Sequence, residues 1–111
     1  MADATVIYTG TGSLPFPPVT FKSQSDGLSL LFLSASCWGN QAGLIGFDVL
    51  IDGQAVARLS VWANQPSTHL VLVPQIVPVT LSYGDHTLTL APFNGWTIVD
   101  ANDTFQFVLV Y

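Results

Sequence analysis

The sequence predicts an all-β domain, an antiparallel β-sandwich of the jelly-roll type with about eight to nine short strands. Runs rich in Val, Ile, Leu, Thr and Phe alternate with Gly, Pro, Asn and Asp at fairly regular intervals, which is typical of such sandwiches. Most of the helix formers that suit exposed positions are missing, because the chain contains no Glu, one Met and only two Lys and Arg residues. The length of 111 residues suits one domain, so we expect residues 1–111 to share a single core.

The apolar runs predict the individual strands in chain order. They are Thr5 to Tyr8, Val19 to Lys22, Leu28 to Cys37, Ile45 to Ile51, Ala55 to Trp62, His69 to Val73, Val77 to Ser82, His86 to Leu90 and Phe105 to Tyr111. Asp52-Gly53 separates two of these runs and predicts a type I′ hairpin, because both central residues of that turn need a positive φ.

Prolines mark where the ladders are interrupted, since proline has no N–H to donate to a neighbouring strand. Leu14-Pro15-Phe16-Pro17-Pro18 is therefore expected to be an extended connection or an edge. Pro74 and Pro78 bracket residues 75–77 and predict a kink or a strand switch there.

The alternation of side chains distinguishes strands with one apolar face from a strand with two. Between Ala55 and Trp62, one face carries only small and aliphatic residues (55, 57, 59 and 61), while Val56, Arg58, Ser60 and Trp62 share the other face. The segment Leu28 to Cys37 is apolar on both faces. Such a strand must be covered twice, and a sandwich this small has no helices to do it, so we expect a second copy of the chain to cover one face.

The charge balance excludes several classes of partner. Seven Asp against Lys22 and Arg58 give a formal net charge of -5, and nucleic acid needs clustered Lys and Arg.

The longest apolar stretch, Leu28 to Trp38, is interrupted by serines and is too short to span a membrane. The sequence begins without a basic segment followed by an apolar one, so we expect no secretory signal and a chain that stays inside or leaves by another route.

Catalytic motifs are missing from the sequence. His69 and His86 each open a predicted strand, and neither lies in a metal-ligand spacing or beside a nucleophile motif. The single Cys37 lies in an apolar run with no basic neighbour, so we expect a buried and unreactive thiol. No pair of Asp residues can be assigned to a hydrolytic cleft. We therefore expect a protein that is not an enzyme.

A cluster of oxygen-bearing side chains precedes the last predicted strand, at Asp100, Asn102 and Asp103. Carboxylate and amide oxygens are the ligands that calcium prefers, so calcium is one interpretation of this loop. The other is a turn in which Asp and Asn bond their own backbone and no cofactor is needed. The sequence leaves both interpretations open.

Each of the three tryptophans lies at a strand end or in a loop, with an asparagine two residues away. The six candidate residues for carbohydrate binding are Trp38, Asn40, Trp62, Asn64, Asn94 and Trp96. An indole ring beside an amide suits a sugar, whose C–H face stacks on the ring while its hydroxyls bond the amide. The alternative is that the rings fill the ends of the sandwich or a subunit interface. Arg58 shares a face with Trp62, which favours a surface position for that ring.

The last third of the chain resembles the closing strands of C1q/TNF-like jelly rolls. The resemblance lies in residues 84–90, then Asn94-Gly95-Trp96-Thr97, then residues 100–105, where a glycine-led strand precedes a final polar-to-aromatic strand. It implies a jelly-roll sandwich that assembles as a compact trimer and engages ligands through its loops. The sequence differs from those families in being short and in having neither a collagen-like stalk nor a secretion signal.

Together these observations predict a non-enzymatic, homo-oligomeric binding module of lectin type, which recognises carbohydrate through Trp/Asn loops, as in microbial surface, tail-fibre or adhesin systems. The alternative is a structural trimerisation or shell domain of a larger assembly, with no small-molecule ligand. A response of the protein to a saccharide would separate the two.

Overall fold

A computed structural model describes residues 3–12 and 17–111 of the chain. Ten strands lie in these ranges: β1 (Ala4–Thr11), β2 (Val19–Ser23), β3 (Gly27–Gly39), β4 (Gly43–Ile51), β5 (Gln54–Ala63), β6 (Leu70–Val71), β7 (Gln75–Leu81), β8 (Gly84–Pro92), β9 (Thr97–Ile98) and β10 (Thr104–Val110). Among the described residues there is no helix with the length and apolarity needed to cross a membrane.

The strands form two antiparallel sheets. The six-stranded sheet has the order β1-β10-β3-β6, with β7 and β9 also paired to β3, and the four-stranded sheet has the order β2-β8-β4-β5. Successive strands mostly alternate between the sheets, as in a jelly roll. The predicted fold class is thus confirmed, and the count of ten includes the two-residue strands β6 and β9.

The core lies between the sheets and is built from alternate residues of each strand. Phe47 of the four-stranded sheet lies 6.0 Å, centroid to centroid, from Phe105 of the other sheet, which lies 6.0 Å from Phe107. All three rings are fully buried. Each such ring contributes roughly 1.5 to 3 kcal/mol relative to an exposed one, which holds the two sheets together.

Glycine and proline positions mark a turn and an interruption between strands. Asp52 and Gly53 have φ values of 51° and 84°, which confirms the type I′ hairpin between β4 and β5. Pro74 lies in the gap between β6 and β7, which both pair with β3, so the chain is interrupted there without changing partner. Pro78 lies within β7. Most of the predicted connection at residues 14–18 falls on residues 13–16, outside the described residues.

The outward surfaces of the two sheets differ in character. The six-stranded sheet presents an apolar face, which we define by Val6, Leu28, Leu30, Phe32 and Ile76, all exposed. The pairings place Phe32 between Val108 and Ile76, so these residues form continuous rows across the sheet. The prediction that β3 is apolar on both faces is confirmed.

The four-stranded sheet presents a polar face, which we define by Leu44, Asp48, Arg58, Ser60 and Trp62 of strands β4 and β5. Its inward residues, such as Phe47 and Leu59, are buried in the core. The predicted alternation of β5, with Leu59 inward and Arg58 and Trp62 outward, is confirmed.

Candidate functional site

The loops that carry or flank the three tryptophans meet at one end of the sandwich. The backbone N–H of Asn40 donates to the carbonyl of Trp96 at 3.1 Å, and that of Ser67 donates to the carbonyl of Gly39 at 2.8 Å. These bonds connect the loop after β3, the loop after β5 and the loop after β8. The tryptophan-bearing segments are therefore neighbours.

Trp62 is the exposed aromatic residue of this end, with 65% of its surface accessible. It borders a shallow groove of about 260 Å³ that is lined by Trp62, Asn64, Gln65, Thr68 and Leu70. Within residues 3–12 and 17–111, the side chains of Asn64, Gln65 and Thr68 have no hydrogen-bond partner in the protein. The groove therefore combines one bare ring with amide and hydroxyl groups that are free to bond a ligand.

Trp96 and Asn94 are held within the protein. The Asn94 amide donates to the carbonyl of Leu44 at 2.8 Å, and its oxygen accepts from the backbone N–H groups of Trp96 and Thr97 and from the Thr97 hydroxyl. The Trp96 indole N–H also donates to the Leu44 carbonyl, at 3.2 Å. Asn94 thus closes the loop that follows β8, and the half-buried Trp96 anchors that loop to β4.

Trp38 is held on the other side of the loop cluster. Its indole N–H donates to Oδ2 of Asp100 at 3.1 Å, and its ring centroid lies 6.0 Å from that of His69. The side chain of Asn40 is exposed. Of the six residues predicted to bind carbohydrate, the structure places Trp62 and Asn64 in one groove and the other four outside its lining. Contact with a sugar remains a prediction for all six.

Asp103 is a fully buried carboxylate at the centre of a polar network. Its Oδ1 accepts from the Ser36 hydroxyl at 2.9 Å and faces His69 Nδ1 at 2.8 Å, while its Oδ2 accepts from the backbone N–H of Asp100 at 3.0 Å. The hydrogen bond to Asp103 is the main cause that raises the pKa of His69. A buried carboxylate needs such donors, so this network fixes the loop that precedes β10.

The residues proposed for calcium take part in the same network. Both oxygens of Asp100 accept hydrogen bonds, Oδ1 from the backbone N–H of Asn102 and Oδ2 from Trp38. The described residues place ligand atoms of His69, Asp100 and Asp103 within 4.8 Å of one another, a group that could hold a cation. Asn102 is not in this group, and histidine suits transition metals better than calcium. The hydrogen bonds are those of the turn interpretation, and calcium binding stays a prediction.

Ser36, His69 and Asp103 are the residue types of a catalytic triad, but their arrangement differs from one. In a triad the serine contacts the histidine, which takes its proton. Here the Ser36 hydroxyl and the His69 ring both bond the same oxygen of Asp103. Cys37 is fully buried, as predicted, and burial followed by the charge of Asp103 raises the pKa of its thiol to about 12. Neither the Ser36 hydroxyl nor the Cys37 thiol is activated as a nucleophile.

Sequence reasoning missed the two histidine–aspartate pairs and part of the groove. His69 and Asp103 are 34 residues apart, as are His86 and Asp52, so no local spacing signals either pair. Gln65 could have been found, because residues 62–65 repeat the Trp-X-Asn-Gln order of residues 38–41. Thr68 reaches the groove only through the path of the loop after β5.

No family model matches the sequence, and no curated protein matches it. Among solved structures, the whole chain superposes on 10% of a β-glucosidase from Paenibacillus barengoltzii with a TM-score of 0.59 and 10% identity. For the globular domain of zebrafish complement 1qA protein, the superposition covers 83% of this chain and 66% of that one, with a TM-score of 0.52 and 18% identity. The CBM36-1 domain of a multidomain xylanase, from the hindgut metagenome of Trinervitermes trinervoides, gives a TM-score of 0.44 at 15% identity, with 100% of this chain and 97% of that one covered.

The first two likenesses show a shared fold and no more. The chain spans a tenth of the β-glucosidase chain and just under two thirds of the complement chain. The resemblance of the closing strands to C1q/TNF-like domains is therefore supported as a resemblance of fold. The fold and the site together define a jelly-roll β-sandwich with an exposed aromatic groove at its loop end.

Proposed function

We propose that this chain is a non-enzymatic, homo-oligomeric carbohydrate-binding module of lectin type, which stacks a sugar ring on Trp62. The observation that carries the proposal is the exposure of Trp62 beside amide groups that have no partner among the described residues. Covering the indole ring with the apolar face of a ligand would remove that surface from water, which favours binding.

The chemistry of the groove favours a neutral sugar. The C–H face of a pyranose can cover the Trp62 ring, while its hydroxyls exchange hydrogen bonds with Asn64, Gln65 and Thr68, which both donate and accept. The described lining residues carry no charge. The volume of about 260 Å³ lies just below the usual range for enclosed ligand pockets, roughly 300 to 1,000 Å³, and suits a single ring lying in an open groove.

A larger cleft of about 510 Å³ lies at the opposite end of the sandwich, near the β4–β5 turn. Its described lining residues are aliphatic or polar, such as Ile51, Val56 and Gln54, and none of them is aromatic. A sugar would find no stacking surface there, so we assign the ligand to the smaller groove.

The other parts of the proposal have separate support. The buried, high-pKa thiol and the missing serine–histidine contact favour a role without catalysis. The exposed apolar face favours self-association. Calcium at Asp100 and Asp103 would have to compete with hydrogen bonds to all four carboxylate oxygens, so we expect at most a weak rise in melting temperature on its addition.

The test is a glycan array followed by calorimetric titration of the strongest hit, a readout that does not depend on the ring that is removed. Trp62→Ala should abolish the response at a cost in folding stability within about 1 kcal/mol, because the ring is mostly exposed. Tyr83→Ala is the matched control, since Tyr83 is 57% exposed and lies outside the loop end. No response to any glycan, or equal loss in both variants, would contradict the proposal.

A structural trimerisation or shell domain is the second candidate, and the apolar face favours it. Both candidates require self-association, so the oligomeric state does not separate them. If the protein assembles but no saccharide binds, and Trp62→Ala weakens the assembly, the structural role is the correct one.

A further inference from the structure

We propose that Arg58 and Asp48 form a second sugar subsite on the polar face, so that the ligand is a neutral oligosaccharide running along β5 from Trp62. This inference rests on the proposed function and names the substrate class of the same site.

The pairing of β4 with β5 places the two subsites on one surface. Leu44 pairs with Trp62, Gly46 with Ser60 and Asp48 with Arg58. Alternate residues of a strand share a face, so Trp62 and Arg58 point the same way about 13 Å apart. Between them on this face lies Ser60, which pairs with Gly46, a residue without a side chain, and the backbone N–H of Phe93 donates to the Gly46 carbonyl at 3.4 Å. The separation of Trp62 from Arg58 requires several linked sugar rings.

The Arg58 end of this surface is rigid. Arg58 Nε donates to Asp48 Oδ1 at 2.7 Å and Nη2 donates to Oδ2 at 3.2 Å, while the guanidinium lies 4.3 Å from the ring centroid of Phe93. The hydrogen bond to Asp48 is the main cause that raises the pKa of Arg58. Two bonds and a stacked ring fix the plane of the guanidinium, which lowers the entropy lost when a ligand binds.

Arg58 and Asp48 still have groups to offer a ligand. A guanidinium has five N–H groups, and among the described residues two of them have acceptors. Each carboxylate oxygen also has a second lone pair. Two adjacent sugar hydroxyls fit such a pair, since one can accept from Arg58 while its neighbour donates to Asp48. Asp48 neutralises Arg58, and the chain carries a formal net charge of -5, so a neutral saccharide is favoured over an acidic one.

The test measures affinity by calorimetry for cello-, xylo-, malto- and manno-oligosaccharides of one to six units. For the series that binds, affinity should rise about tenfold or more between one and four units, because hydrogen bonds to a charged pair are added. Arg58→Gln should remove that gain and leave monosaccharide affinity unchanged. Lys22→Gln is the matched control, because Lys22 is the only other Lys or Arg of the sequence and lies in the same sheet. Arg58→Lys keeps the charge but loses the bidentate geometry, and should lose most of the gain.

The outcomes separate this inference from the proposed function. Binding that requires Trp62 but is independent of chain length, or a tetrasaccharide affinity equal in Arg58→Gln and Lys22→Gln, overturns the second subsite alone. Binding by no series overturns the proposed function and this inference with it. A length-dependent affinity that falls only in the Arg58 variants supports both.

Discussion

The ring of His86 lies between two hydrogen-bond acceptors. It is buried, with Nδ1 at 2.6 Å from Oδ2 of Asp52 and Nε2 at 2.8 Å from the carbonyl oxygen of Ser82. Both of these oxygens can only accept, and a neutral imidazole donates from one nitrogen. The two hydrogen bonds therefore require the protonated ring. The hydrogen bond to Asp52, then that to Ser82, raises the pKa of His86, with the charge of Asp85 adding to it.

This pair predicts a pH optimum for stability. The contribution of His86 is fully present below its ordinary pKa of 6.5 and is lost as pH rises through the raised pKa of the folded protein. The hydrogen bond to His86 lowers the pKa of Asp52 below 3.8, so that contribution is present above 3.8 and is lost as pH falls through the lowered pKa. We expect the free energy of unfolding, from urea titrations across pH, to be greatest between about 4 and 6.5.

Asp52→Asn removes the negative charge of this side chain and keeps a residue that suits the turn. Asn tolerates the positive φ of this position as well as Asp does, so the hairpin should persist. We expect a loss on the order of 1 kcal/mol near pH 5.5 and a smaller decline of stability above pH 6.5 than in the wild type. His69 remains in both proteins and serves as the internal control. An unchanged pH profile would show that His86 is not held as a cation.

The three tryptophans show which residue positions a sequence can predict. Trp62 could be placed outward because Arg58 and Ser60 share its face of the strand, and that alternation is local. The environments of Trp38 and Trp96 depend on Asp100 and on the Leu44 carbonyl, which are distant in sequence. The pattern of Trp and Asn predicted that the tryptophans lie at strand ends or in loops. It could not predict which indole rings bond other parts of the protein and which one stays exposed.

At the scale of elements, the sequence predicts a turn that neighbouring residues specify better than a strand that depends on pairing with a distant segment. The β4–β5 hairpin was predicted because its turn is specified by two adjacent residues with positive φ. The two-residue strand β9 was missed, since it exists only through pairing with Trp38 and Gly39 near the end of β3. No local pattern marks such a strand.

Gly46 of β4 is the described glycine at which an added side chain would meet the closest contact. Its φ is +144°, a value that side chains rarely adopt, and an added Cβ would collide with the carbonyl oxygen of Leu59. We expect Gly46→Ala to destabilise the fold by more than about 3 kcal/mol, because the β4–β5 ladder must shift. Gly95→Ala is the matched control, since an added Cβ there meets nothing within 4 Å. Chemical denaturation of both variants measures the difference, and equal midpoints would contradict this packing.

At the scale of the whole molecule, the two sheets present opposite surfaces with different chemistry. The apolar face is on the six-stranded sheet, and the polar face with Trp62 is on the four-stranded sheet. Association through the apolar face would leave every polar face outward. Several weak sugar sites on one assembly gain avidity without new contacts, provided that their spacing matches the glycans. Assembly and ligand binding are thus compatible in one small domain.

The apolar face predicts a homo-oligomer, which we expect to be a trimer. Leu28, which lies on β3 within the apolar face, is 70% exposed. An uncovered apolar surface of this kind is rare on a monomer. Sedimentation should give about three times the mass of the 11.9 kDa chain at micromolar concentration, and unfolding should depend on protein concentration. Leu30→Asp should dissociate the assembly, because it would bury an unpaired carboxylate in the interface. Leu44→Asp on the polar face is the matched control, with Leu44 38% and Leu30 41% exposed. A mass of 11.9 kDa for the wild type, or the same mass for both variants, would show that the apolar face is not covered by other copies of the chain.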